Sequence, residues 1–216
     1  MHWCAWDELC KPTTLGGMGF RHLFAFNLAM LAKQGWRIIQ NPNSLVERLL
    51  KAIYFPHYSF WEAEIGTSPS YEWISIVQGR DILEAGIRKH IGNGNQTDIW
   101  KEPWVPEWII TIPVSVHNYE DQWIWGEDRK GRFSVKLAYH VARRQIQNED
   151  DDEPNPSARL WKHLWKAPVP GKVKICVWKA TSNILPKRNR LSQRGIDIDT
   201  VCPLCDEEVE SPLHAL

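Results

Sequence analysis

The sequence predicts a mainly α protein with two short β-hairpins, an α+β chain ending in an irregular Cys/His segment. Three observations predict this class. Apolar residues recur at helical spacing in several stretches, some opened by Ser and most closed by Pro, Asn or Gly. Two short alternating stretches flank glycine-containing turns. The residues from Cys202 onward carry two Cys and a His but no apolar periodicity.

Taken in order, residues 1–20 read as a loop ending in Gly16-Gly17-Met18-Gly19-Phe20. No Lys-Ser or Lys-Thr follows, so the glycines form a turn rather than a phosphate loop. A helix runs from Leu23 to about Ile39, where Asn41-Pro42 stops it. Ser44-Leu45-Val46-Glu47 is a capping box, in which hydroxyl and carboxylate satisfy reciprocal amides. It opens a second helix that Pro56 ends near Phe55. A third helix begins at Ser68-Pro69 and reaches about Gly86. Ile87 to Ile91 and Thr97 to Trp100 form the first hairpin around Gly92-Asn93-Gly94-Asn95, with a Pro/Trp-rich exit to Pro106. The second joins Asp121 to Trp125 with Gly131 to Ser134, and Ser134 caps a helix running to about Gln147. Glu149-Asp150-Asp151-Asp152-Glu153 with Pro154 and Pro156 is a solvated acidic linker, about residues 148–156. Three helices follow: Ser157 to Lys166, Lys172 to about Asn183, and Pro186 to about Arg194. The periodicity places Leu137, Val141, Trp161, Leu164, Trp165, Val173, Val177 and Ala180 in a core.

The bulk composition narrows the class. At 43% hydrophobic the chain supports a core, and thirteen Trp predict heavy aromatic packing. Lys and Arg total 26 against 26 Asp and Glu, so net charge identifies no partner. Five Cys with one tight pair do not form a secreted disulfide framework, and a reducing, intracellular setting is expected, nucleus or cytoplasm undecided. No basic segment leads into an apolar run at the start, and Leu23 to Ala32 is too short to span a bilayer, so no membrane role is expected.

The most specific local signal is Cys202-Pro203-Leu204-Cys205 with His214 beyond it. Two thiolates across a tight turn suit zinc, whereas a redox pair would follow a buried strand that is missing here. The segment is therefore zinc-knuckle-like, with three candidate ligands, Cys202, Cys205 and His214, where a closed site needs four. Charge segregation is the second signal. From Ser157 to Ile196 the charged residues are Arg159, Lys162, Lys166, Lys172, Lys174, Lys179, Lys187, Arg188, Arg190 and Arg194, with no acid among them. Such a surface attracts RNA or DNA phosphates without reading sequence. The alternative is a solvated basic face whose Trp161, Trp165 and Trp178 point into the core. Catalytic constellations are missing from the pattern. His2, His22, His57, His90, His117, His140 and His163 are scattered, and the one Asp cluster sits in the linker, so no enzyme and no small-molecule substrate is expected.

Several runs together resemble one family. Trp6-Asp7-Glu8-Leu9-Cys10-Lys11-Pro12, Gly16 to Phe20, Phe26 to Gln34, Lys51 to Pro56, Gly92-Asn93-Gly94 and Trp100 to Pro106 resemble the region after the polymerase domain of plant non-LTR (LINE-type) retrotransposon reverse transcriptases. Gly131 to Lys136, Ala138-Tyr139, Pro170 to Trp178 and Cys202 to Leu216 are similar to that family's reverse-transcriptase zinc-binding domain. The resemblance implies a post-polymerase connector over residues 1–107 and a zinc-binding domain over 108–216. It also implies a fourth ligand, a Cys, beyond Leu216, making the zinc site of this chain incomplete. Trp108 to Ile112 joins stretches that family members separate, implying an internal deletion and loose packing over Trp108 to Val116. The function implied is a non-catalytic fragment of a retrotransposon polyprotein, vestigial or binding zinc and nucleic acid. The alternative is a Trp-rich protein-interaction module.

Overall fold

The computed structural model describes residues 4–95, 119–146, 157–203 and 205–210. The hairpin arm expected at Thr97 to Trp100, the Pro/Trp exit, the junction after Trp108, the acidic linker and His214 lie outside them. Among the described residues helices dominate and one two-stranded antiparallel sheet accompanies them. The chain forms two compact units. One comprises the described residues up to 22 and those from 157 to 210; the other comprises 23–146.

In the larger unit, α2 (Leu23–Gln40) buries Ala25, Ala29, Ala32, Gly35 and Ile38. The three alanines and Gly35, at helical spacing, let neighbouring backbones approach. Against that stripe pack α4 (Tyr71–Gln78), α5 (Arg80–Gly86) and α6 (Val135–Ile146). The helix expected from Ser68 to Gly86 is therefore two helices. Its cap is Ser70, whose Oγ accepts from Trp73 N at 3.2 Å. The break is at Gly79, where an added Cβ would lie 2.5 Å from Ala32 N. Between α2 and α4, α3 (Leu45–Tyr54) starts at Ser44, whose Oγ accepts from Glu47 N at 3.2 Å.

Aromatic packing carries much of this core. Trp73 is fully buried, stacked on Tyr54 at 4.7 Å and 2°, with Phe55 and Phe60 at 5.6 and 6.2 Å. Such pairs each add about 0.5–1.5 kcal/mol beyond area burial.

The second hairpin does not close as expected. Strand β1 (Ile87–His90) pairs with β2 (Gln122–Trp125) in antiparallel register, Ile87 opposite Trp125 and His90 opposite Gln122. The reason is tertiary. Asp121 Oδ1 accepts from Gly92 N at 2.7 Å and Gly94 N at 3.0 Å, tying the end of β1 to the start of β2. Ile87 and Trp125, facing each other, are both buried. After β2 the chain returns with a backbone bond from Trp125 N to Gly131 O at 2.9 Å, and 131–134 forms no strand. Ser134 Oγ then accepts from Leu137 N at 3.3 Å, capping α6 as expected.

The smaller unit joins both ends of the described chain. Residues read as a loop form α1 (Trp6–Cys10) and a 3-10 turn, Thr13–Leu15. Gly16 follows in the left-handed region at φ 88°, and an added Cβ there would touch the Trp161 ring at 2.9 Å. Its carbonyl accepts from Trp178 Nε1 at 2.7 Å. The glycine run is thus a cradle for two tryptophans, and Trp161, Trp178 and Ile184 form a core with Cys4, Leu9, Met18, Leu164 and Trp165 packed against it. Helices α7 (Ala158–Lys166), α8 (Gly171–Thr181) and α9 (Arg188–Ser192) complete the unit. α8 ends in a Schellman motif: Asn183 takes φ 55°, Asn183 N donates to Ala180 O, and Ile184 N to Lys179 O.

The expected core is corrected on α8. Val141, Trp161 and Ala180 are buried and Leu137, Leu164 and Trp165 half-buried, but Val173 and Val177 are exposed. α8 turns Trp178 inward to reach Gly16, which leaves the valine face outward.

Candidate metal centre and basic face

The Cys-x-x-Cys sits in a small hairpin. Val201 bridges Val209 antiparallel, Glu210 N donates to Thr200 O at 3.0 Å, and Cys202 N donates to Glu208 O at 2.7 Å. Across the turn, Asp206 N donates to Cys202 O at 2.9 Å, and Asp206 takes φ 54°. A non-glycine residue in the left-handed region is uncommon, and Asp tolerates it better than most. Cys202 is 2% exposed, while Cys205 lies at the surface. One backbone bond after another therefore holds the turn that carries both thiols.

The donor chemistry fits zinc at these two positions, since soft thiolates separated by two residues on a tight turn can share one ion. The third sequence candidate, His214, lies outside the described residues. Among the described residues no three His, Cys, Asp or Glu side chains converge. Glu210 anchors the hairpin instead, its Oε2 accepting from Arg188 N at 2.8 Å. The two residues are 22 positions apart, and no local sequence pattern marks this bond.

The ten basic candidates divide by environment. Lys187 is buried, its Nζ donating to Asn183 Oδ1 at 3.0 Å. Burial, then the nearby Arg190 charge, pull its pKa down, with Glu210 acting the other way. Lys174 Nζ donates to Trp165 O at 2.8 Å, Arg188 to Val201 O at 3.3 Å, and Arg190 to Asn183 O. These cations tie loops and helix ends together. Arg159, Lys162, Lys166, Lys172, Lys179 and Arg194 are exposed.

On α7 the exposed cations form one stripe. Arg159, Lys162 and Lys166, joined by His163, fall at i, i+3, i+4 and i+7, which is one helix face, and line a shallow cleft with Ala167. His163 Nδ1 lies 2.7 Å from Arg159 O. A carbonyl only accepts, so Nδ1 carries the proton and donates. The opposite face supplies Trp161, Leu164 and Trp165 to the core. His163 was read as a scattered histidine, although its i+4 spacing from Arg159 was the signal that could have found it.

Residues 133–216 match the family described as zinc-binding in reverse transcriptase. The uncharacterized mitochondrial protein AtMg00310 of Arabidopsis thaliana is 49% identical over 114 residues, 52% of this chain and 74% of that protein. At1g65750, an Arabidopsis thaliana protein named for ribonuclease H, is 27% identical over 266 residues, spanning all of this chain and 42% of the relative. No solved structure matches the chain. Fold and site together define a mainly α protein carrying a reverse-transcriptase zinc-binding region. The chain belongs to the plant retrotransposon reverse-transcriptase family. No described helix is long and apolar enough to cross a membrane.

Proposed function

We propose that this chain is a non-catalytic accessory region of a retrotransposon reverse transcriptase, with residues 1–107 as connector and 108–216 as the zinc- and nucleic-acid-binding part. Cys202, Cys205 and His214 are its zinc ligands, and the outward face of α7 holds phosphates of RNA or DNA. The observation that carries the reading is the α7 stripe: Arg159, Lys162, His163 and Lys166 on one exposed face, in a segment without acids. Phosphate neutralisation by such a stripe is sequence-independent and salt-sensitive. The cations already bound to carbonyls contribute less.

The test is fluorescence polarisation of labelled single-stranded RNA and duplex DNA over a salt series. Replacing Arg159, Lys162 and Lys166 by Gln should reduce the slope of log K against log salt by about 2–3. An unchanged slope refutes the interface. Zinc is tested separately with a colorimetric competitor: Cys202→Ser or Cys205→Ser should abolish uptake, and uptake unchanged in both removes the metal site. The purified protein should neither extend a primer nor cleave an RNA–DNA hybrid with magnesium or manganese; product above a mock preparation overturns the non-catalytic reading.

A Trp-rich docking surface finds less support. Of the described tryptophans only Trp6 is exposed, at 44%. Binding to a protein through apolar docking would also change little with salt.

A further inference from the structure

The capping box expected at Ser44–Glu47 forms in one direction only. Ser44 Oγ accepts from Glu47 N at 3.2 Å, but Ser44 N donates to Asn41 O at 3.0 Å. The Glu47 carboxylate does not cap its own helix. It lies inward, with the side chain 8% exposed, on the wall of a cavity of about 220 Å³. Its cationic neighbour among the described residues is Lys51 Nζ, 3.9 Å away and beyond hydrogen-bond reach, on a side chain that is itself 51% exposed. A carboxylate on a side chain with so little exposure is held best when it is both paired and hydrogen-bonded. Glu47 is loosely paired and lacks the donor.

The rest of the wall indicates what that donor is. Phe55, Tyr58, Trp61 and Trp123 line the cavity, and the Trp61 and Trp123 rings lie 5.7 Å apart at 58°. Aromatic faces attract organic cations and tolerate their alkyl stems. Trp123 already has Lys89 Nζ 4.3 Å from its ring centroid, so a cation on that ring has a precedent within the fold. Glu47 disfavours an anion, and a lone carboxylate is too few ligands for a metal ion. The volume is below the range of drug-sized sites and suits the end of one side chain.

We infer that this cavity binds an organic cation, a primary ammonium or an alkylguanidinium, with Glu47 as acceptor and counter-charge and the Trp61–Trp123 wall as apolar flank. Lys51 holds the carboxylate loosely and swings to solvent when the ligand enters. The cation is either a free amine or a Lys or Arg side chain of a partner protein.

Full-length protein is titrated with n-butylammonium, n-butylguanidinium and n-butanol, followed by tryptophan fluorescence and saturation-transfer NMR on the ligand. Both cations should bind saturably and butanol should not. Glu47→Gln should weaken the cations by about tenfold or more, the size of a lost hydrogen bond to a charged group. Lys51→Met, which removes the competing ammonium, should tighten them. N-acetyl-lysine N-methylamide supplies the second source: tighter binding than n-butylammonium assigns the site to a partner's side chain, weaker binding to a free amine, and either order supports it. Equal binding of butanol, or undiminished cation binding by folded Glu47→Gln, overturns the site. If Glu47→Gln fails to fold, Lys51→Met decides, and unchanged or weaker binding there overturns it.

Discussion

Replacing Trp178 by Phe probes the bond that joins the two ends of the smaller unit. Trp178 is 3% exposed, and its Nε1 donates to Gly16 O at 2.7 Å across 162 positions of sequence. Phenylalanine keeps an aromatic ring but removes the donor and part of the ring volume. The lost hydrogen bond costs about 1 kcal/mol, because Gly16 O is half-buried and water can replace only part of it. The space left beside Trp161 and Ile184 costs about 1–2 kcal/mol more. The sum, about 2–3 kcal/mol, raises the open fraction roughly 30- to 150-fold. Cysteine labelling reads this selectively, since Cys4, Cys10, Cys176, Cys202 and Cys205 all fall within this unit. Cys10 is 5% exposed, so its alkylation under native conditions reports opening. A rate within about threefold of the parent protein would refute the cradle's energetic role, because it would place the cost below about 0.7 kcal/mol.

Other perturbations test separate parts. Gly79→Ala should destabilise the larger unit by about 1–3 kcal/mol in urea, since the new methyl would meet backbone at Ala32 N, 2.5 Å away. Asp121→Ala should remove two hydrogen bonds to Gly92 N and Gly94 N, cost about 2–3 kcal/mol, and speed amide exchange at both glycines. Lys187 has a folded-state pKa below its ordinary 10.5, so above that lowered value the native state binds fewer protons than the unfolded state. Unfolding free energy should therefore gain a positive contribution to its slope with pH between the lowered value and about 10.5, and Lys187→Met should remove it. Cys4 should alkylate more slowly than exposed Cys176 at pH 8, because burial, then Glu8, push its thiol pKa up; equal rates at that pH would contradict this environment.

The sequence by itself determined what short-range physics controls. Helix starts at Ser44 and Ser134 were legible because a hydroxyl three residues before an amide caps it whatever lies beyond. The stop after α3 followed from Pro56, and the zinc-knuckle reading from two thiols two residues apart, which lie within the hairpin closed by Val201 and Val209. The α7 stripe was half legible: the cations were, His163 was not. Tertiary structure alone decided that β2 pairs with β1 rather than with residues 131–134, the pairing being held where Asp121 reaches Gly92 and Gly94. It decided that the glycine run from Gly16 is a tryptophan cradle, that Val173 and Val177 face outward, and that Glu47 turns from its own helix into an aromatic cavity. Each of these depends on a partner far away in sequence. Periodicity reports which side chains avoid water, but not which distant backbone or ring will be there to shield them.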